Sequence, residues 1–212
     1  MADAMVNLAS VSYAESFIAE DEIVERARER ARELGCTPIG PAGGATLRVL
    51  AAATGARAVV EVGTGAGVSG LYLLGAMAAD GVLTTIDIEG ENQRAAKEAF
   101  NEAGIAAPRY RLINGSATEV LPRLRDSAYD LVFVDADKTS YAVYYDQALR
   151  LLRSGGVVAF DNALWHDRVA DPSQRDTETN VVRELGKTVR DDDRVVSALL
   201  AAGDGLLVAA KR

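Results

Sequence analysis

Residues 59–70 read Val-Val-Glu-Val-Gly-Thr-Gly-Ala-Gly-Val-Ser-Gly, an apolar run that ends on an acid and turns through closely spaced glycines into a second apolar segment. Val59, Val60 and Val62 are β-branched and nearly continuous, the pattern of a strand buried on both faces of a parallel sheet. Gly63, Gly65 and Gly67 permit positive φ and close backbone approach, and a helix starting behind them would aim free N–H groups at a polar ligand. The stretch reads as a cofactor cradle. It leaves the cofactor open, because Gly65, Gly67 and Gly70 also fit the G-x-G-x-x-G spacing of dinucleotide-binding folds, with Asp87 about 20 residues on. A nucleotide-dependent oxidoreductase is therefore the alternative reading.

Working outward, strand and helix patterns alternate. Residues 82–87, 110–114, 129–135 and 156–161 read as further strands, and residues 91–103, 118–124 and 141–152 as the helices between them. This succession implies a parallel sheet with right-handed crossovers. After a helix over 177–189, the apolar runs 195–200 and 206–210 are joined by only residues 201–205, too short a link for a helical crossover, so they must pair antiparallel. The expected fold is α/β: a doubly wound seven-stranded sheet, mostly parallel, closed by an antiparallel C-terminal hairpin. Residues 1–212 are expected to form one domain, with 1–45 as a helical extension packed on its core. Within it, residues 1–20 show no clear period and read as a mobile segment or a lid. Residues 21–34 read as a charged helix with Ile23, Ala27, Ala31 and Leu34 on its apolar face and Glu22 and Arg26 spaced as an i,i+4 pair. The glycines and prolines of 35–44 read as a connection, and 46–54 as an apolar helix.

Composition narrows the function. The chain has 212 residues and a formal net charge of -8, and no Lys/Arg block is interleaved with aromatics, so nucleic acid is not an expected partner. Cys36 is the only cysteine, which excludes an intrachain disulfide and a thiolate zinc cluster and fits a reducing cytoplasm. No apolar run approaches bilayer length and the N-terminus lacks a signal-peptide pattern, so a cytoplasmic protein without a membrane partner is expected.

Four expected strands end on or beside an acid: Glu61, Asp87, Asp135 and Asp161. In open α/β sheets the carboxyl ends of the strands line one crevice, so these carboxylates should converge. The run Asp135-Ala136-Asp137-Lys138 and the pair Asp161-Asn162 stand at two such ends, and parallel neighbours lie about 4.8 Å apart. Two carboxylates and an amide oxygen suit Mg²⁺ or Ca²⁺ better than zinc. The Asp-Asn pair would also serve as a helix cap.

The segments EVGTGAGVSG, TTIDIE, YDLVFVDADKTSY and AFDNALW together resemble the class I S-adenosylmethionine-dependent O-methyltransferases, in particular the cation-dependent branch that includes catechol and caffeoyl-CoA O-methyltransferases. The resemblance covers residues 36–212, and the DADKxxY and DNxLW combination is its most specific part. It implies a seven-stranded fold, S-adenosylmethionine as methyl donor, a divalent cation such as Mg²⁺, Ca²⁺ or Mn²⁺, and a small aromatic hydroxylated acceptor. Glu61, Gly63, Thr64 and Ser69 match the loop that holds the methionine portion of the donor, Asp87 the acid on the ribose hydroxyls, and Ala117 the adenine wall. Ile39 matches an apolar residue closing the donor site, and Asp137 a residue near it. Asp135, Asp161 and Asn162 match the metal ligands, Lys138 the general base and Trp165 an aromatic beside the acceptor. Gly65 departs from the pattern, since relatives commonly carry tyrosine there.

The chemistry follows from these parts. A phenol ionises near pH 10, so a cation coordinating both oxygens of a catechol would supply the phenolate that attacks the sulfonium methyl. Lys138 takes the proton only if its own pKa is depressed; the cation would depress it, and Asp135 and Asp137 push the other way. The alternative role for Lys138 is a plain ion pair with those acids. His166, the one histidine, reads as a surface or packing residue and Cys36 as a small buried hydrophobe. A thin apolar face on the N-terminal helix is compatible with a homodimer.

Overall fold

Residues Ala58–Val62 form β1, and its successive side chains enter two different cores because alternate Cβ atoms of a strand point to opposite faces. Val59 packs into one core, Val60 and Val62 into the other, and all three are fully buried. The structure, a computed structural model, describes residues 7–212. Parallel to β1 run β2 (Val82–Asp87), β3 (Tyr110–Asn114), β4 (Tyr129–Val134) and β5 (Leu152–Phe160). The hairpin of β6 (Val195–Leu200) and β7 (Leu206–Lys211) adds to β5 through β7, antiparallel. The order across the seven-stranded sheet is β3-β2-β1-β4-β5-β7-β6. This is the doubly wound sheet expected from the pattern, with its antiparallel ending.

Helices cover both faces. On one, α2 (Glu22–Glu33), α3 (Pro41–Ala53), α4 (Val68–Leu74) and α5 (Gly90–Glu102) bury Ala27, Leu47, Leu73 and Phe100 against Val59, Leu83 and Phe133. On the other, α6 (Ala117–Val120), α7 (Tyr141–Leu151) and α8 (Thr177–Arg190) bury Ala117, Tyr145 and Leu185 in one core with Val132, Val158 and Phe160. No helix among the described residues is long and apolar enough to cross a membrane.

The N-terminal third differs in detail from its sequence pattern. Residues 1–6 of the segment expected to be mobile or a lid lie outside the described residues, and Leu8–Glu15 form a helix, α1, capped by Asn7 and burying none of its side chains. Glu15 at its end ties it to the body, accepting hydrogen bonds from the backbone N–H groups of Gly203 (2.6 Å) and Ala42 (3.3 Å). Along α2 the buried positions are Val24, Ala27 and Ala31, while Leu34 is exposed; the Glu22–Arg26 pair forms at 3.6 Å on the surface. α3 begins at Pro41, five residues earlier than the apolar pattern suggests. Proline is accommodated at the first helical position. Gly43 and Gly44 serve contact here, since a Cβ on either would press into Ile39 or the Tyr72 ring. β5 also starts early, directly after α7.

What positions the site is the register at the strand ends. The ladder continues one residue past each strand: Gly63 N–H donates to the Ile86 carbonyl at 2.9 Å, Asp135 N–H to Val62 at 2.8 Å, and Asp161 N–H to Val134 at 3.0 Å. Strand order reverses between β1 and β4, the place where open α/β sheets bind ligands. There Gly63 has φ +95 and faces the carbonyl of Asp135 so closely that a Cβ would penetrate that oxygen. Gly65, at φ +49, faces open space. Gly63→Ala is therefore expected to destabilise the chain by about 3 kcal/mol or more, and Gly65→Ala by about 1 kcal/mol. Urea midpoints of the two variants measure the difference; equal losses would show that the backbone contact at residue 63 does not matter.

Candidate active site

A cleft of about 390 Å³ opens at the carboxyl ends of β1, β2 and β4. Among the residues expected to hold the donor, Ile39, Gly63, Thr64, Ser69, Asp87, Ala117, Asp135 and Asp137 line it. Asp87 is the organiser of this wall. One of its oxygens accepts from the backbone N–H groups of Thr64 (3.0 Å) and Gly65 (2.9 Å), the other from Glu89 N–H (2.9 Å), and the Asn92 amide reaches both at 3.2 Å. A carboxylate holding two successive loop amides fixes the glycine turn as β1 ends. The hydroxyls of Thr64 and Thr85 meet beneath it at 2.7 Å. Gly67 and Gly70 have a different task from the one a dinucleotide fingerprint would give them: both back onto α5, where a Cβ would crowd Ala96 or Phe100. Cys36 is half-buried and lines the cleft, more exposed than its reading as a buried hydrophobe.

Glu61 lies below the cleft, wholly buried, with neither carboxylate oxygen in a hydrogen bond among the described residues. Burial pushes its pKa up to about 7, although the Ser69 and Thr85 hydroxyls lie near enough to pull the other way. An unpartnered acid beneath a glycine turn is an acceptor prepared for a donor group that the chain itself does not supply.

A second cluster stands at the ends of β4 and β5, sharing Asp135 with the cleft lining. Lys138, in the short 3₁₀ turn Lys138–Ser140, is buried, and its ammonium donates to Asn162 Oδ1 at 2.7 Å, Tyr141 Oη at 2.6 Å and Asp135 Oδ1 at 3.4 Å. Burial, with Asp135 as the next cause, raises the Asp161 carboxyl to about 7; burial likewise raises Asp135, against the pull of Lys138. The expected ligand residues and the expected base are thus brought together. No group of three or more His, Cys, Asp or Glu side chains among the described residues is placed to hold an ion, so a cation here would rest on two carboxylates and an amide oxygen. Trp165 covers the cluster, its ring centroid 5.4 Å from Lys138 Nζ and its indole N–H buried without a partner among the described residues. Asp137 belongs to the cleft side. Burial alone would raise its pKa, but hydrogen bonds from Ser140 and the Tyr144 hydroxyl, at 2.6 Å, bring it below the usual range.

Three residues here have no role assigned by the sequence reading, although Tyr141 closes the DADKxxY motif. Tyr141 donates to the Asp161 carbonyl at 3.0 Å while accepting from Lys138, and burial holds its pKa well above 10, so it remains a neutral phenol linking both strand ends. Tyr144 grips Asp137 one turn further along α7. The spacing of Lys138, Tyr141 and Tyr144 by three is the signal that a helical reading offers. Asp204, on the β6–β7 turn, carries no such signal, because nothing local places that turn beside β5.

The comparisons with known proteins agree with this geometry. A family model described as O-methyltransferase matches residues 10–212. A Mycolicibacterium smegmatis chain assigned as an O-methyltransferase is 52% identical over 203 residues, covering 96% of this chain and 97% of that one. Among solved structures, a Corynebacterium glutamicum protein is 34% identical with a TM-score of 0.87, covering 94% of each chain. The O-methyltransferase TomG of Streptomyces achromogenes, solved with S-adenosylmethionine, is 30% identical with a TM-score of 0.85, covering 97% of this chain and 96% of that one. The chain belongs to the O-methyltransferase family, an S-adenosylmethionine-dependent enzyme class.

The orphaned acid has a measurable consequence. Glu61 holds its proton to a higher pH in the folded chain than its ordinary 4.5, so its ionisation opposes folding, and the opposition grows from about pH 4.5 to pH 7 to about 3 kcal/mol. Without donor, Glu61→Gln is expected to gain stability over the parent at pH 7 relative to pH 5. Denaturant midpoints at the two pH values measure this, and parallel pH profiles would contradict it.

Proposed function

We propose that the chain methylates one hydroxyl of a small aromatic acceptor with two vicinal hydroxyls, of catechol or caffeoyl type, with a divalent cation held by Asp135, Asp161 and Asn162. The observation that carries this reading is the meeting of a buried carboxylate (Asp161), a half-buried one (Asp135), one amide oxygen and the Lys138 ammonium at adjacent strand ends. Two carboxylates facing a single ammonium, in a site dry enough to push Asp161 up to about 7, are short of positive charge. Their oxygens are the hard donors that Mg²⁺, Mn²⁺ or Ca²⁺ accepts. Such a cation would lower the pKa of a catechol hydroxyl and orient the vicinal pair.

The remaining work falls to side chains of the chain. In this reading Ile39, Gly63, Thr64, Ser69, Asp87, Ala117 and Asp137 seat the methyl donor in the cleft, and Glu61 takes up a hydrogen-bond donor through the glycine turn. Asp135 lines the cleft and also contacts Lys138, so it stands between the donor and acceptor sides. Lys138 takes the hydroxyl proton at Nζ once it is neutral; Tyr141 fixes the direction of that nitrogen. The acceptor oxygen then bonds to the methyl carbon as the sulfur–carbon bond breaks, a displacement that depends mainly on alignment. Trp165 supplies an aromatic wall above Lys138. Gly65 leaves space in the cleft where relatives commonly carry tyrosine.

Asp161→Ala tests the cation site. It is expected to lower methyl transfer to catechol about 100-fold or more while the affinity for S-adenosylmethionine, read by calorimetry, stays within about threefold. Wild-type enzyme in excess chelator should lose the same activity and recover it on adding Mg²⁺. Full turnover in either case would remove the cation from the reaction. Loss of S-adenosylmethionine binding in the variant would instead place Asp161 on the donor side.

A further inference from the structure

The segment after β5 has an unusual backbone. Trp165, His166 and Asp167 lie at φ +49, +55 and +62, three consecutive left-handed residues with side chains, and Asn162 just before them is at φ +56. L-residues avoid this region, so such a run persists only where neighbouring groups hold it. Here the neighbour is the β6–β7 turn. Asp204 Oδ1 accepts from His166 N–H at 2.6 Å, in the middle of the left-handed run. The Asp204 carbonyl accepts from Leu164 N–H and the Gly205 carbonyl from Ala163 N–H, both at 2.9 Å. The two backbones can lie this close because residue 205 is glycine at φ +88; a Cβ there would stand 2.7 Å from Leu164 N. The turn is anchored from its other side by Glu15, through Gly203 N–H.

We propose that Asp204 is a positioning residue for methyl transfer: its carboxylate holds the left-handed turn at residues 165–167, and that turn sets the Trp165 ring over Lys138. The inference rests on Lys138 and Trp165 forming the acceptor side. Among the described residues Trp165 has no hydrogen bond through its indole; its ring rests against the His166 ring (centroids 5.3 Å) and over Lys138, so the backbone turn that carries both Trp165 and His166 sets its place. Asp204 Oδ2 is buried without a hydrogen bond among the described residues, 3.5 Å from His166 Nδ1, and only 20% of the Asp204 side chain is exposed, so the group is directed at the turn. Its charge also reaches Asp135 and Asp161, which places it beside the same cluster.

Trp165 is the only tryptophan in the chain, so its fluorescence reports on this turn alone. In Asp204→Ala the emission is expected to move to longer wavelength and acrylamide quenching to rise, while the affinity for S-adenosylmethionine stays within about twofold. With catechol as acceptor, KM should rise about tenfold, the weight of one charge-assisted hydrogen bond, and kcat should change less. Asp204→Asn keeps an acceptor oxygen at the same reach and should return both signals toward wild type. Should the alanine variant not fold, Asp204→Glu, whose longer stem carries the carboxylate past His166 N–H, is expected to shift emission in the same direction. Unchanged emission and quenching in a folded Asp204→Ala or Asp204→Glu protein would overturn the proposal. So would a fall in kcat and melting temperature with KM unmoved. Wild-type enzyme that does not methylate catechol would overturn the acceptor reading, whereas the fluorescence signals, which need no acceptor, still decide whether Asp204 holds the turn.

Discussion

The backbone of Gly63 is pressed against the carbonyl of Asp135, with no room for a side chain between them. That contact lies where the strand order reverses, and it makes the ends of β1 and β4 a single edge. One further parallel pairing, Val134 with Phe160, places Asp161 next in the row. A slip of one residue in either pairing would turn Asp135 or Asp161 to the opposite face of the sheet. Burial of both faces of β1 prevents the slip, because Val59 and Val60 are committed to separate cores.

Along this edge the chain keeps acids in places that do not favour their charge. Glu61 and Asp161 are both raised to about 7 by burial, and Asp135 is raised with them. Asp87 and Asp137, also in the cleft wall, are supplied with donors by the chain: Asp87 from the glycine turn and Asp137 from Ser140 and Tyr144. The contrast separates the acids into two kinds. Asp87 and Asp137 are held in place by donors of the chain itself, while Glu61, Asp135 and Asp161 retain acceptor capacity that the described residues do not fill. Sites that retain such capacity give up stability for binding, a trade common at functional positions.

Much of this was legible in the sequence. The valine run of β1, the strand-terminal acids and the five-residue link before β7 each depend on local pattern, and local pattern is what period and turn chemistry report. The nearness of Asp135, Asp161 and Asn162 to Lys138 was legible for the same reason: parallel strands put their carboxyl ends side by side wherever the alternation of strand and helix holds. What was not legible depends on contacts between distant segments. Gly43 and Gly44 look like breakers until the Tyr72 ring and Ile39 are packed against them. The helix Leu8–Glu15 buries nothing, so no apolar period marks it. The partnership of Asp204 with His166 spans 38 residues and a change of strand direction, and no spacing rule encodes it.

The central claim is that Asp135, Asp161 and Asn162 form a cation site beside the methyl donor. Anomalous diffraction from crystals grown with Mn²⁺ and S-adenosylmethionine tests it most directly. The account predicts a manganese peak bounded by those three side chains, with Lys138 Nζ withdrawn from Asn162 Oδ1. Donor in the cleft, no peak at the strand ends and Lys138 still bonded to Asn162 would contradict it.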